Sequence, residues 1–277
     1  MKSVVAPYET SVRCLRIECR NGTIIRITRY PFDLAMSNGQ IYLSAAGADF
    51  STSVAETSFA ASSFDLEGFV GLAGIGRDEV ASGVFDGAEC RLFKTSFLAP
   101  VEDEEPVDRA ILGRTVLEDD GYRIEEMGIV DLLSQPVLAT VSPTCRNIFG
   151  GQEYGGCKVN LAAITVTGTL TSVTSPLVIG DTGRTEASDY FGAGVIRFTS
   201  GPNVGLADIR IDGFASGSLT LANAPYYPLT IGTTYALEPG CRKRLQDCQT
   251  HNNVARMKAY PHVPPKSVYT SIGGTNK

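Results

Sequence analysis

The 277 residues are 43% apolar and 19% charged, which is a globular profile with enough apolar material for one large or two ordinary cores. A net charge of -6 and a pI near 5.1 exclude a global attraction for nucleic acid or anionic lipid. No apolar run approaches the roughly 18 residues that cross a bilayer. The opening MKSVVAPYETSVRC has too short an apolar stretch for a signal peptide, so synthesis in a cytoplasm is expected.

Short alternating apolar runs lie between 29 glycines and 14 prolines. SVRCLRIECRNGTIIRITRY predicts a β-hairpin, two β-rich runs around Asn21-Gly22, the most favoured hairpin dipeptide. The Asn21-Gly22-Thr23 glycosylation pattern is then a turn. On the first strand Cys19 shares a face with Leu15 and Ile17, and Cys14 lies on the opposite face. Both read as buried structural thiols, as does Cys90 in ECRLF.

Further strands are predicted at GQIYLSA, SVAETSF, ECRLFKTSFL and RAILGRTVLE. A short helix is predicted at GRDEVASGVF, where Asp78 and Glu79 suit the first turn. A second is predicted at GIVDLLSQP, ended before Pro136. The acidic EDEEP at 102–106 predicts a solvated loop. In the second half LAAITVTGTLTSV, GAGVIRFTSG, GLADIRIDGF, GSLTLANA and TIGTTYALEPG read as strands, dominated by Thr, Val and Ile. The expected fold is mostly β, with two β-rich, barrel- or sandwich-like modules over 1–140 and 141–277 and a few short helices. The last 37 residues are an irregular, basic, Pro-rich tail that needs an anchor.

Most motifs lead nowhere. GLAGIGR at 71–77 lacks the Walker pattern and the dinucleotide fingerprint. The adjacent carboxylates Asp119-Asp120 and Glu125-Glu126 diverge on a strand and suit solvation better than acid–base work. Arg242, Lys243 and Arg244 form a patch too short for a nucleic-acid footprint. A Cys–His nucleophile is numerically available, for instance Cys157 with His262, but no thiol-hydrolase signature surrounds either residue.

The chain has 7 cysteines. An odd number without an export signal argues against a disulfide framework. Cys145 and Cys157 stand in the glycine-rich PTCRNIFGGQEYGGCKVN, and Cys241 and Cys248 enclose the basic CRKRLQDC. On a regular helix the last pair would be roughly 10 Å apart along the axis, beyond the Cα approach of about 7 Å that a disulfide tolerates. Their spacing is also wider than that of zinc-finger thiolates. Four such thiolates can hold zinc tetrahedrally or a [4Fe–4S] cluster with one cysteine per iron, and wide, unequal spacings suit the larger object. The residues alone leave three readings open: no metal, zinc, or iron–sulfur.

Taken together the two cysteine segments resemble a phage family, the tail tip protein L family of lambda-like siphophages with the related hub protein of gene transfer agents. The resemblance rests on Thr144-Cys145-Arg146, Gly156-Cys157, Gly240-Cys241, Lys243-Arg244, Cys248, Asn253 and Tyr260-Pro261-His262-Val263-Pro264. An early strand pair, GQIY, a helix leading to GVFDGAEC and an ILGR strand extend it through the first half. His251, Met257 and Pro265 depart from the aromatic, Phe and Gly usual at those places.

The resemblance implies a non-catalytic structural virion protein at the distal end of a non-contractile tail. It implies a homotrimeric ring next to the distal tail protein, the tape measure and a central fibre or receptor-binding protein. No sequence-specific nucleic acid and no membrane-spanning segment are implied. It also implies an iron–sulfur cluster, [4Fe–4S], held by Cys145, Cys157, Cys241 and Cys248, with zinc as the alternative metal.

Overall fold

A computed structural model of the chain describes residues 10–44, 48–50, 65–71, 75–127, 142–153 and 155–260. By its internal contacts the chain divides into two units, 1–135 with 205–207, and 136–204 with 208–277. The strand expected at SVAETSF, the helix expected at GIVDLLSQP and the junction near residue 140 fall outside the described residues, and GLAGIGR falls partly outside them.

The first unit starts from the expected hairpin. β1 (Ser11–Glu18) pairs antiparallel with β2 (Ile24–Thr28), Glu18 facing Ile24. The turn is longer than the Asn-Gly dipeptide. Gly22 donates its N–H to Cys19 O at 3.0 Å and Cys19 donates to Thr23 O at 2.9 Å, so a tight turn is followed by a bulge. Gly22 takes φ +87°, the left-handed conformation that this bulge requires.

β3 (Leu34–Ala35), β4 (Ile41–Ser44), β5 (Ala48–Phe50) and β6 (Asp65–Phe69) follow, then the one-turn helix α1 (Arg77–Ala81) with Asp78 and Glu79 in its first turn. β7 (Glu89–Ser96), β8 (Glu105–Leu117) and β9 (Gly121–Met127) complete a nine-stranded sheet in the order β3-β4-β2-β1-β7-β8-β9-β6-β5. Register shifts at Leu92/Phe93 and between Leu112 and Thr115 accompany its curl, since an extra residue bends its strand. The sheet is a curled half-barrel, not a closed barrel or a two-sheet sandwich.

Both faces of β1 are covered, which explains its mixed burial pattern. Leu15, Ile17 and Cys19 join Ile27, Phe50, Leu66, Phe85 and Cys90 in the main core. Cys14 and Val12 point the other way, into a smaller cluster with Leu34, Met36, Tyr42 and Phe93. Burial pushes the Cys14 and Cys19 thiols up to about 11, although for Cys14 the Thr28 hydroxyl partly opposes it. These groups stay protonated and inert at neutral pH.

The acidic run at 102–106 is not a solvated loop. Glu105 and Pro106 already belong to β8, and the Glu102 side chain is only 9% exposed. Its carboxylate accepts hydrogen bonds from Arg16 Nη1 at 2.7 Å, from Tyr42 Oη at 3.0 Å and from Asn38 Nδ2. Three donors make burial of the charge tolerable.

In the second unit α2 (Leu161–Ile164) precedes β10 (Val166–Thr169), β11 (Ser172–Ser175) and β12 (Val178–Gly180). LAAITVTGTLTSV is therefore a helical turn and two strands; Asn160 caps the turn by accepting from Ala163 N–H at 3.3 Å. β13 (Val195–Phe198), β14 (Ile209–Ala215), β15 (Ser218–Leu221) and β16 (Thr234–Glu238) lie where strands are expected. The seven strands form one antiparallel curled sheet in the order β10-β16-β13-β14-β15-β12-β11, again a half-barrel. Its core gathers Ile179, Phe191, Ile196, Ile211, Leu219, Tyr235 and Leu237. The tail is less irregular than expected, with a short helix α3 (Leu245–Thr250) and a 3-10 turn at Val254–Arg256.

Burial works against the Glu102 charge, but the Asn38 and Tyr42 bonds and the Arg16 charge outweigh it and hold the carboxyl below its usual range. A depressed folded value means that this stability is present above the ordinary carboxylate pKa and is lost as pH falls through the folded one. Glu102→Ala is expected to lower the stability of the first unit at neutral pH by about 2–3 kcal/mol. Glu102→Gln should flatten the acid limb below about pH 4.5. Urea melts between neutral and acid pH measure both, and an unchanged midpoint in Glu102→Ala refutes the assignment.

Candidate metal centre

The two glycines that precede a cysteine are each fixed by contact. A Cβ on Gly156 would lie 2.0 Å from Gly151 O, and one on Gly240 would lie 2.0 Å from the Ala193 carbonyl carbon. Only glycine allows the backbone to run that close, so Gly156-Cys157 and Gly240-Cys241 are packing requirements of the loops that present the thiols. Cys241 comes three residues after the end of β16, on backbone pressed against the Ala193-Gly194 turn. Arg242, next to it, makes a forked pair with Asp189 at 2.6 and 2.8 Å.

Main-chain bonds tie the remaining segments together. Cys145 donates to Lys243 O at 2.8 Å, Arg146 to Lys258 O at 3.2 Å, and Tyr260 to Ser142 O at 3.0 Å. The loop ahead of Cys157 closes on itself, with Ile148 N–H on Gly155 O at 2.9 Å and Cys157 N–H on Ile148 O at 3.0 Å. Cys248 rides on α3, whose first turn is held by contacts between Arg244 and Asp247.

Cys145, Cys157, Cys241 and Cys248 all line a single pocket. Residues almost a hundred positions apart in the chain thus bring four thiols to one place. Three sulfurs accept a main-chain N–H: Cys157 from Gly150 at 3.2 Å, Cys241 from Lys243 at 3.4 Å and Cys145 from Lys258 at 3.4 Å. Burial pushes the Cys241 and Cys248 thiols up, and for Cys248 the nearby Cys145, Cys241 and Cys157 push it further. Charging Cys241 and Cys248 is therefore favoured by cationic groups nearby. Lys243, Arg244 and Arg256 line the same pocket and supply part of that charge.

Soft thiolate donors aimed into a common pocket fit iron–sulfur or zinc better than a hard cation. Among the described residues no group of three or more His, Cys, Asp or Glu is arranged to hold a single metal ion. The four thiols are therefore gathered around a shared space, but not drawn in around a point.

Asn147 and Asn253 matter here as well. Asn253 Nδ2 donates to Cys157 O at 2.8 Å, linking the tail to the glycine loop. Asn147 is 3% exposed; its Nδ2 donates to Arg256 O at 2.7 Å, its main-chain oxygen accepts from Lys243 Nζ, and its Oδ1 has no partner among the described residues. Asn253 belongs to the resemblance, whereas Asn147 carries no sequence signal beyond its place two residues after Cys145. His251 is engaged structurally, through a 3.1 Å bond to Gly240 O and a tilted ring contact with Phe149 at 4.8 Å. His262 lies outside the described residues, so no Cys157–His262 pair can be described. The Arg242-Lys243-Arg244 patch is occupied within the unit, through Asp189, the Asn147 carbonyl and Asp247. Cys14, Cys19 and Cys90 sit in the cores of the first unit.

Residues 6–160 match the family described as baseplate hub protein, N-terminal attachment domain, which is more than half of the chain. Residues 189–267 match a second family, described as phage conserved hypothetical protein BR0599. Comparison with curated proteins gives no match. Among solved structures the fold is similar to a chain of the virion of native gene transfer agent (GTA) particle, with a TM-score of 0.76 at 18% identity over 98% of this chain and 95% of that one. The chain belongs to the baseplate hub protein family, structural components of the phage-type virion tail.

Proposed function

We propose that the protein is a hub subunit at the distal end of a non-contractile tail. It forms a homotrimer around an axial opening and joins the end of the tube to the central fibre or receptor-binding protein, with the distal tail protein and tape measure as neighbours. Its four convergent cysteines, Cys145, Cys157, Cys241 and Cys248, hold an iron–sulfur cluster of the [4Fe–4S] type. The role of the cluster is structural.

The observation that carries the cluster reading is that four thiols from two separate segments of the chain line one pocket. When bound, a [4Fe–4S] cluster supplies four iron–thiolate bonds and couples its own insertion to the folding of its ligand loops. The cysteines bind, the three main-chain donors orient their sulfurs, and Lys243, Arg244 and Arg256 offset their charge. The trimer reading draws support from the sheet edges among the described residues, β3 and β5 in one unit and β10 and β11 in the other. Unpaired edges invite pairing and are usually covered in an assembly.

Protein purified without oxygen is expected to be brown, with absorption near ~400 nm and about four irons per chain. Colourless protein with about one zinc per chain overturns this in favour of the zinc reading. Cys241→Ser should lose the cluster and expose both 142–158 and 241–260 to protease, while the first unit survives. Cys14→Ala, Cys19→Ala and Cys90→Ala should keep full iron and cost only about 1–2 kcal/mol of packing. Loss of iron in one of those three would show that the ligand set is wrong.

The assembly is tested separately, by cross-linking of isolated tail tips. A ladder ending at three copies is expected, and a two-fold species there would sink the trimer.

A further inference from the structure

The four sulfurs are not held alike, and the difference singles out one of them. Gly150, Lys243 and Lys258 each aim a main-chain N–H at a sulfur, those of Cys157, Cys241 and Cys145. Among the described residues no donor reaches the sulfur of Cys248. A partial positive hydrogen against a thiolate draws off charge, which makes the sulfur harder to oxidise and steadies its bond to iron. The fourth sulfur lacks that support.

Its backbone is held from within its own stretch of chain, the N–H by Arg244 O at 3.2 Å and the carbonyl by Asn253 N–H at 2.9 Å. Cys157 is 8% exposed and its loop is bonded by Asn253; Cys241 follows directly on the sheet, on backbone pressed against Ala193; Cys145 is bonded to Lys243 O. Cys248 sits on α3, a six-residue helix with no buried residue, where Leu245 is 39% exposed. Its own N–H bonds only to Arg244, within that helix. Beyond its C-terminal end His251, on Gly240 O and Phe149, and Asn253, on Cys157 O, tie the chain down. Among the described residues α3 itself buries no apolar side chain, so the helix opens more cheaply than a buried element.

We propose, on the basis of the cluster reading above, that Cys248 is the releasable ligand: oxidant removes the iron at that corner first and frees α3, while Cys145, Cys157 and Cys241 retain the remainder. A one-electron oxidant such as ferricyanide takes one electron from [4Fe–4S]2+ to give [4Fe–4S]3+ and ferrocyanide. The oxidised cluster sheds Fe2+ and leaves [3Fe–4S]+, so that charge and iron both balance. The Cys248 thiolate takes a proton from water as its iron leaves. The site then has a stable three-point base and one oxidant-sensitive latch, and the latch controls a surface helix of the hub.

The test is made on the full, cluster-loaded chain. Ferricyanide is added stepwise without oxygen, then iodoacetamide is added and each cysteine is scored by peptide mass. At about one iron lost per chain, Cys248 should be labelled about tenfold more than Cys145, Cys157 or Cys241, together with the paramagnetic signature of a three-iron cluster. Cys248→Ala should retain about three irons and show that signature without oxidant, whereas Cys157→Ala should retain none. Equal labelling of the four, or first labelling at another cysteine, overturns the inference while leaving the cluster reading intact. A chain that carries no iron before oxidant is added overturns both.

Discussion

The two cysteine-bearing segments of the second unit have to be ordered almost without a hydrophobic core. In the segments 142–158 and 241–260 the only buried side chains among the described residues are those of Cys157 and Asn147. Ordering a residue costs about 1–2 kcal/mol in backbone entropy, and a net hydrogen bond returns about 1 kcal/mol at best. The bonds that join these segments, Cys145 to Lys243, Arg146 to Lys258 and Asn253 to Cys157, cannot balance that cost alone. Everything distinctive about the region follows from this shortage: the clustered thiols, the tight glycines and the amide side chains used as clamps.

The sheet of the second unit supplies the fixed reference. β16 is paired on both sides, with β10 and β13, and its Tyr235 and Leu237 are fully buried, so the chain leaves it at a defined point. Gly240 is locked against Ala193 and Gly194, and the Arg242–Asp189 fork holds the next residue against the same turn. Beyond that anchored cysteine, α3 itself is held at its two ends, by the Lys243 contacts with Cys145 and Asn147 before it and by His251 and Asn253 after it.

The legibility of these features in the sequence varied with how local their causes are. The β1–β2 hairpin and the opposite facing of Cys14 and Cys19 follow from two-residue alternation, which the pleat enforces. The convergence of Cys145, Cys157, Cys241 and Cys248 has no local cause; only the shared glycine-cysteine pattern hinted at it. EDEEP was misread because charge density signals solvation, whereas the fate of Glu102 depends on Arg16, Asn38 and Tyr42, which are distant in sequence. The α2 turn was hidden by the Thr- and Val-rich strands that follow it, and α3 by having Leu245 as its only large apolar residue, too little for a helical period. Asn147 was invisible, because a buried amide is recognised by its partners alone.

The strand order of the second unit also bears on the timing of synthesis. β10, its first strand, pairs with β16, its last, and β13 pairs with β16 too. As the chain emerges from the ribosome, β10 and β13 have no neighbour in common until residues 234–238 arrive. Cys145 and Cys157 meanwhile wait as exposed thiols on an unfinished scaffold, and Cys241 appears only just after the strand that completes it. Maturation of this half of the protein thus waits until residues 234–238 and Cys241 have been made. A cell making many copies at once must keep those early thiols reduced and unaggregated throughout that interval.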